Sequence, residues 1–215
     1  NKFQVAYLQT LGTYGKWDTS KFYGDFGLYA QVGEAAVTND KVDVGAYYAG
    51  FNLGYKFTNP FKAELGFEYL SGKDQNDTDT KVKSFTPLFG TNHGFNGLMD
   101  YFYVGNHKNS VGLQDFYTKF IYDKNKWQVT FAPHLFYSAA SVYNMTTLEE
   151  QDSYLGTEID LTATYKMDKN FVISGGVSKM FASDTMEILK GGNNNNCNNW
   201  AWVMISFNPQ LFTYK

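Results

Sequence analysis

The chain has 215 residues, a net charge of −3 and a mean hydropathy of −0.39, and no run of 18 apolar residues, which excludes a membrane-crossing helix. Charged residues reach only 18%, below the roughly 25% usual in soluble domains, while aromatics reach 19% and Gly 20 residues. All basic residues are Lys and they form no stripe, so nucleic acid is not expected as a partner.

Period-two alternation runs from end to end and predicts nine strands, at about 3–16, 21–33, 42–57, 61–73, 110–123, 126–139, 153–167, 170–182 and 199–208. The opening residues, NKFQVAYLQTLGTYGK, lack the basic start, apolar centre and cleavage site of a signal peptide. They read as the middle of a strand, so a fragment or mature form is expected. Strand 42–57 sets Tyr47, Ala49, Phe51, Leu53, Tyr55 and Phe57 opposite Asn52, Gly54 and Lys56. Strand 61–73 sets Phe61, Ala63, Leu65, Phe67 and Tyr69 opposite Lys62, Glu64 and Glu68. Strand 126–139 sets Trp127, Val129, Phe131, Leu135 and Tyr137 opposite Gln128, Thr130, His134 and Ser138. In strand 153–167, Leu155, Ile159, Leu161, Ala163 and Tyr165 oppose Glu158, Asp160, Thr162, Thr164 and Lys166.

A soluble sandwich also alternates, burying its apolar face against a second sheet. Three features favour a membrane barrel instead. Most strands exceed ten residues, as tilted spanning strands do. Aromatics gather at the ends of the apolar faces, like a girdle. Tight turns at Asp18-Thr19-Ser20, Thr58-Asn59-Pro60, Lys124-Asn125 and Asp168-Lys169 alternate with long connections at about 34–41, 74–109, 140–152 and 183–198. The expected fold is an all-β antiparallel transmembrane β-barrel, one domain over 1–215, with turns in the periplasm and long loops outside. Nine strands is an odd number, and open edges are not viable in lipid. An N-terminal remainder of the barrel is therefore an expected partner, alongside outer-membrane lipid or lipopolysaccharide.

The segment 85–102, FTPLFGTNHGFNGLMDYF, resembles the alginate-export family of outer-membrane proteins, in particular its Bacteroidetes forms. The resemblance extends to LGFEYLSG (65–72), VGLQDFY (111–117), LGTEIDL (155–161), MFASDTMEILKGG (180–192) and NWAWVMISF (199–207). It implies an eighteen-stranded monomeric barrel in a bacterial outer membrane, with this chain as the last nine strands. Characterised members of that family export alginate through a pore lined with Arg. This chain has no Arg, and its inward positions set six acids (Asp25, Glu64, Glu68, Asp115, Glu158, Asp160) against four lysines (Lys56, Lys62, Lys119, Lys166). A polyanion path requires a net positive lumen, which this half does not provide.

The residues expected to line a pore are Glu64, Glu68, Asp115, Lys119, His134, Glu158, Asp160 and Lys166, acting by charge and hydrogen bonding. Tyr29 and Tyr48 are candidates for stacking on sugar rings. The segment 74–109 is too apolar for a free loop. Phe85, Phe89, His93, Phe95, Met99 and Tyr101 are expected to fold into the mouth as a constriction, with a packed outer cap as the alternative. Glu158 and Asp160 read as part of a charged wall rather than a glycosidase pair. Asp74, Asp77 and Asp79 lack the spacing, glycine and closing Glu of a Ca²⁺ loop. His93, His107 and His134 share no metal spacing, no catalytic constellation stands out, and no metal or cofactor is expected. Cys197, alone in an Asn-rich loop, has no disulfide partner. The expected function is passage of a polar solute, saccharides included, without enzymatic chemistry. The alternative is a scaffold barrel that docks a partner through its outer loops.

Overall fold

The computed structural model describes residues 5–37, 40–88, 96–210 and 212. They form one antiparallel sheet of nine strands: β1 (Leu8–Asp18), β2 (Phe22–Val37), β3 (Asp40–Lys56), β4 (Phe61–Leu70), β5 (Leu113–Lys124), β6 (Trp127–Tyr137), β7 (Tyr154–Lys166), β8 (Phe171–Ala182) and β9 (Asn198–Phe207). Each strand pairs with its neighbours in sequence, from β1 at one edge to β9 at the other. Helix among the described residues is limited to α1 (Asp184–Lys190) and a single 3₁₀ turn at Val104–Asn106. Among the described residues no helix is long and apolar enough to cross a membrane.

The alternation sorts side chains onto two unlike faces. One face is bare and apolar. Phe26, Phe51, Phe67, Phe116 and Leu135 are successive register partners, so one side chain per strand joins a continuous row from β2 to β6. A second row runs Phe120, Phe131, Leu161, Val177 from β5 to β8. Most of this face stays in the open: in the rows Phe120 is 55% exposed and Val177 53%, and beside them Leu65 is 59% and Val203 80% exposed. Aromatic pairs flank the rows near both strand ends, with Tyr47 on Tyr69 toward the loops and Trp127 on Tyr165 toward the turns.

The other face is covered by the chain's own loops. Its core packs Leu70, Leu113, Phe136, Leu155 and Met180 from strands against Phe85, Phe102 and Met186 from the long connections. Full burial of each such side chain is worth roughly 1.5–3 kcal/mol. The connection 71–112 is fastened early in its course. Ser71 Oγ accepts from the Tyr47 N–H (2.9 Å) and donates to the Lys83 carbonyl (2.7 Å). Val82 forms a parallel bridge with Val44, beyond the end of β4. The buried Gln31 side chain then acts like a strand backbone: its Nε2 donates to the Thr86 carbonyl (2.7 Å) and its Oε1 accepts from the Thr86 N–H (3.1 Å). In α1, Ser183 caps the first turn by accepting from the Met186 N–H (3.2 Å), which holds Met186 in the core.

Three expectations need correction. The connection at 34–41 is not long, because β2 and β3 stay paired out to Val37 and Asp40 and leave two residues between them. Ala35, Val42 and Val44 sustain the ladder there, and Lys41 pairs with Glu34 at 2.9 Å. The connection 183–198 contains α1 and is not a plain loop. Leu155 does not share a face with Leu161. The β6–β7 register slips between Phe136 and Tyr137, Gly156 takes φ +149°, and Leu155 turns onto the covered face with no exposed surface. Only glycine accepts that backbone angle readily, so the bulge is fixed by Gly156.

Candidate functional site

Antiparallel register alone gathers the acidic side chains of β4, β5 and β7 on the covered face. Glu64 is paired with Lys119, Glu68 with Asp115, Tyr117 with His134, and His134 with Glu158. Ala132 is paired with Asp160, which places Asp160 one step along the same face from Glu158. Asp115, His134, Glu158 and Asp160 are all buried. His134 Nδ1 lies 3.0 Å from both Asp115 carboxylate oxygens, and its Nε2 lies 4.0 Å from Asp160 Oδ2. Lys119 approaches Glu64 at 4.0 Å and stands over the Tyr117 ring, 4.8 Å from its centroid.

A strap from the long connection, 96–99, lies across this wall. Asn96 Nδ2 donates to Glu68 Oε2 (2.9 Å) and Asp115 Oδ2 (3.2 Å). The N–H groups of Leu98 and Met99 both donate to Glu158 Oε1, at 2.6 and 2.9 Å. The strap is therefore held by four hydrogen bonds to wall carboxyl groups and not by apolar packing alone, each worth roughly 0.5–1.5 kcal/mol or more. The turn geometry needs this sequence, since Asn96 has φ 52° and Gly97 φ +87°. Asn tolerates the left-handed region and Gly occupies it freely. Glu158 Oε2 and Asp160 Oδ1 are buried, and the two carboxyl groups lie within hydrogen-bonding reach of each other, one donating a proton that the other accepts.

Two cavities adjoin the strap. One of about 360 Å³ is lined by Glu64, Glu68, Asp115, Tyr117, His134 and Asp160, with Asn96, Lys119, Thr130 and Thr162 also contributing. The other, about 460 Å³, lies toward β1–β3 and is lined by Tyr14, Tyr29, Gln31, Tyr48, Phe85 and Leu88 among others. Tyr29 and Tyr48 rings are 5.9 Å apart, and Tyr48 leans on Phe85 at 5.6 Å.

The structure thus brings together seven of the eight wall residues named from sequence. Lys166 shares their face but stands exposed at the turn end of β7, six residues beyond Asp160. Of the constriction residues, Phe85 is buried in the core, and Met99 and Tyr101 pack against it. Phe89, His93 and Phe95 lie outside the described residues. Sequence reading missed Asn96, Gly97 and Tyr117. The Asn-Gly dipeptide was a turn signal, but its partners lie up to 60 residues away, beyond any local pattern.

The acidic stretch 74–79 serves the cap. Asp74 Oδ1 accepts from the Ser141 N–H (2.7 Å), tying two connections together. Lys83 pairs with Asp77 (2.6 Å) and Asp79 (3.3 Å). The Lys83 hydrogen bond holds the Asp77 carboxyl below its usual value, and the Lys81 N–H followed by Lys83 does the same for Asp79. His107 is buried, with Nε2 3.0 Å from the Phe102 carbonyl, and burial pushes its pKa down to about 4. Among the described residues, no three His, Cys, Asp or Glu side chains are arranged to hold a metal ion. The chain matches no protein-family model and no curated protein.

Proposed function

We propose that this sheet is part of a transmembrane β-barrel in a bacterial outer membrane, that its covered face is the lumen, and that the barrel passes polar solutes. The observation that carries the reading is the opposition of the two faces. A sheet with large apolar side chains left bare across its strands, and a buried ionisable wall on the reverse, suits lipid outside and water inside. A soluble sheet would hide the bare face against a second layer. Strands of 10 to 17 residues also suit a tilted crossing.

Closure of the barrel belongs to the same proposal. The edges of β1 and β9 demand partners in lipid, and further strands, nine in the eighteen-stranded arrangement that the alginate-export resemblance implies, would supply them. Solutes, saccharides among them, would be handled by charge and hydrogen bonding, with no bonds made or broken. The strap and its Phe85–Phe102 packing would narrow the path.

The test is flux. Liposomes containing the intact protein should pass small polar solutes, and absence of flux would overturn the channel reading. Deleting 85–102 should raise single-channel conductance, and unchanged conductance and selectivity would remove the constriction role. The dense loop packing on the covered face favours one second reading, a scaffold barrel presenting its cap of 71–112, 138–153 and 183–197 to a partner. Zero flux combined with a protein co-purifying through that cap would support it.

A further inference from the structure

We infer that the cavity of about 460 Å³ beside β1–β3 binds an uncharged pyranose, stacked on tyrosine rings, on the solute path. This rests on the covered face being a lumen. Four tyrosines line the cavity: Tyr14, Tyr29, Tyr48 and Tyr117. Three of them lie down on the sheet instead of standing off it, because the positions beneath them are glycine. One edge of the Tyr29 ring covers Gly12, where a Cβ would collide with it, and the other edge covers Gly27, where a Cβ would meet Cε2 at 3.0 Å. Tyr48 covers Gly50 in the same way, and Tyr117 covers Gly66. A ring laid on the backbone turns its free face to the cavity. Gly27 and Gly50 are register partners, so no side chain rises between the rings there.

The chemistry of the ligand follows from the lining. A tyrosine face is electron-rich and attracts polarised C–H bonds. A pyranose with equatorial hydroxyls carries such bonds on both ring faces and hydroxyls around its rim. That rim has partners here. Thr10, Asn52, Asn96 and the Asp25 carboxylate all line the cavity, and Asp25 and Asn52 form the next register pair on this face, turn-ward of Gly27 and Gly50. Among the described residues no Lys lines it, and its carboxylates, Asp25 and Glu68, repel a uronate. Glu68 is already held by Asn96 and the Tyr48 hydroxyl, so Asp25 is the group that discriminates. An organic cation would use the rings and carboxylates and leave the hydroxyl and amide groups unmatched. The volume falls in the range of small-molecule sites.

The experiment uses the intact protein in micelles of a sugar-free detergent, read by titration calorimetry with cellobiose, its uronate analogue cellobiouronate and acyclic sorbitol as probes. Cellobiose should bind about tenfold or more tightly than either of the others. Tyr29→Leu, which keeps an apolar side chain and removes the ring, should weaken cellobiose about tenfold. Tyr14 is 59% exposed, so Tyr14→Leu, with an expected loss of about threefold, reports on stacking even if Tyr29→Leu compromises folding. Asp25→Asn should bring cellobiouronate to within about threefold of cellobiose. Equal binding of the three probes, or binding unaffected by both tyrosine substitutions, would overturn the site. Tighter binding of tetramethylammonium than of cellobiose would overturn it in favour of a cation cage. Conductance in bilayers without cellobiose binding sinks the site and leaves the channel standing. Cellobiose binding in a protein that conducts nothing supports the site and sinks the channel.

Discussion

Gly97 lies directly against the Glu158 carboxylate: a Cβ at position 97 would meet Oε1 at 2.6 Å, while the two N–H groups that follow it donate to that same oxygen. The close approach and the positive φ both require glycine. Gly97→Ala should therefore cost about 1–2 kcal/mol from the backbone angle alone, before any displacement of the carboxylate. Hydrogen exchange at the Leu98 and Met99 amides should accelerate by about tenfold or more, with the strand amides of β5 and β6 unchanged.

Asn96 is the sole donor bridging Glu68 and Asp115 in the strap. Asn96→Ala removes both bonds and leaves two carboxylate oxygens facing each other without it. The expected loss is about 2–3 kcal/mol, read as a lower midpoint for urea unfolding. Wild-type stability for this variant would mean that water replaces the amide in full.

Leu65 separates lipid from water as the solvent of the bare face. At 59% exposure in water, Leu65→Arg should change stability by no more than about 0.5 kcal/mol. In a bilayer, the same change near the middle of β4 should cost roughly 2–4 kcal/mol. Reversible folding into lipid vesicles measures the difference, and a cost near zero would place the bare face in water.

Acid should loosen the cap through His107. Its ring accepts a proton at 6.5 in the unfolded chain and near 4 when folded, because burial disfavours the charge, the bond to the Phe102 carbonyl offsets part of this, and the Lys190 ammonium adds to it. The unfolded chain thus binds the extra proton between those values. The contribution is fully present above about pH 6.5 and is lost as pH falls toward 4, by up to about 3 kcal/mol. Exchange protection of amides 102–110, corrected for intrinsic rates, should fall across that window, and His107→Gln should flatten the dependence.

What the sequence revealed and what it hid follow from range. Glu64, Glu68, Asp115, His134, Glu158 and Asp160 were legible because strict alternation fixes a face and antiparallel pairing does the rest. Leu155 was misread because the register skips it, beside the positive-φ Gly156, which inverts the parity of everything before the bulge. The helix α1 had its signals in Ser183, Asp184 and Gly191, but seven residues give too short a period to stand out against the flanking strands. Nothing local to Asn96 or Gly97 points to Glu68 or Glu158.

The range of those same contacts also sets an order of assembly. Every strand pairs with the one made just before it, so the sheet can grow hairpin by hairpin at its edge with little chain to close. The bond from Leu98 to Glu158 spans 60 residues and skips β5 and β6 entirely. Asn96 can fasten to Glu68 and Asp115 once β5 is in place, but the Leu98 and Met99 bonds must wait until β7 has arrived, and they are the late lock on a sheet that is otherwise built in sequence.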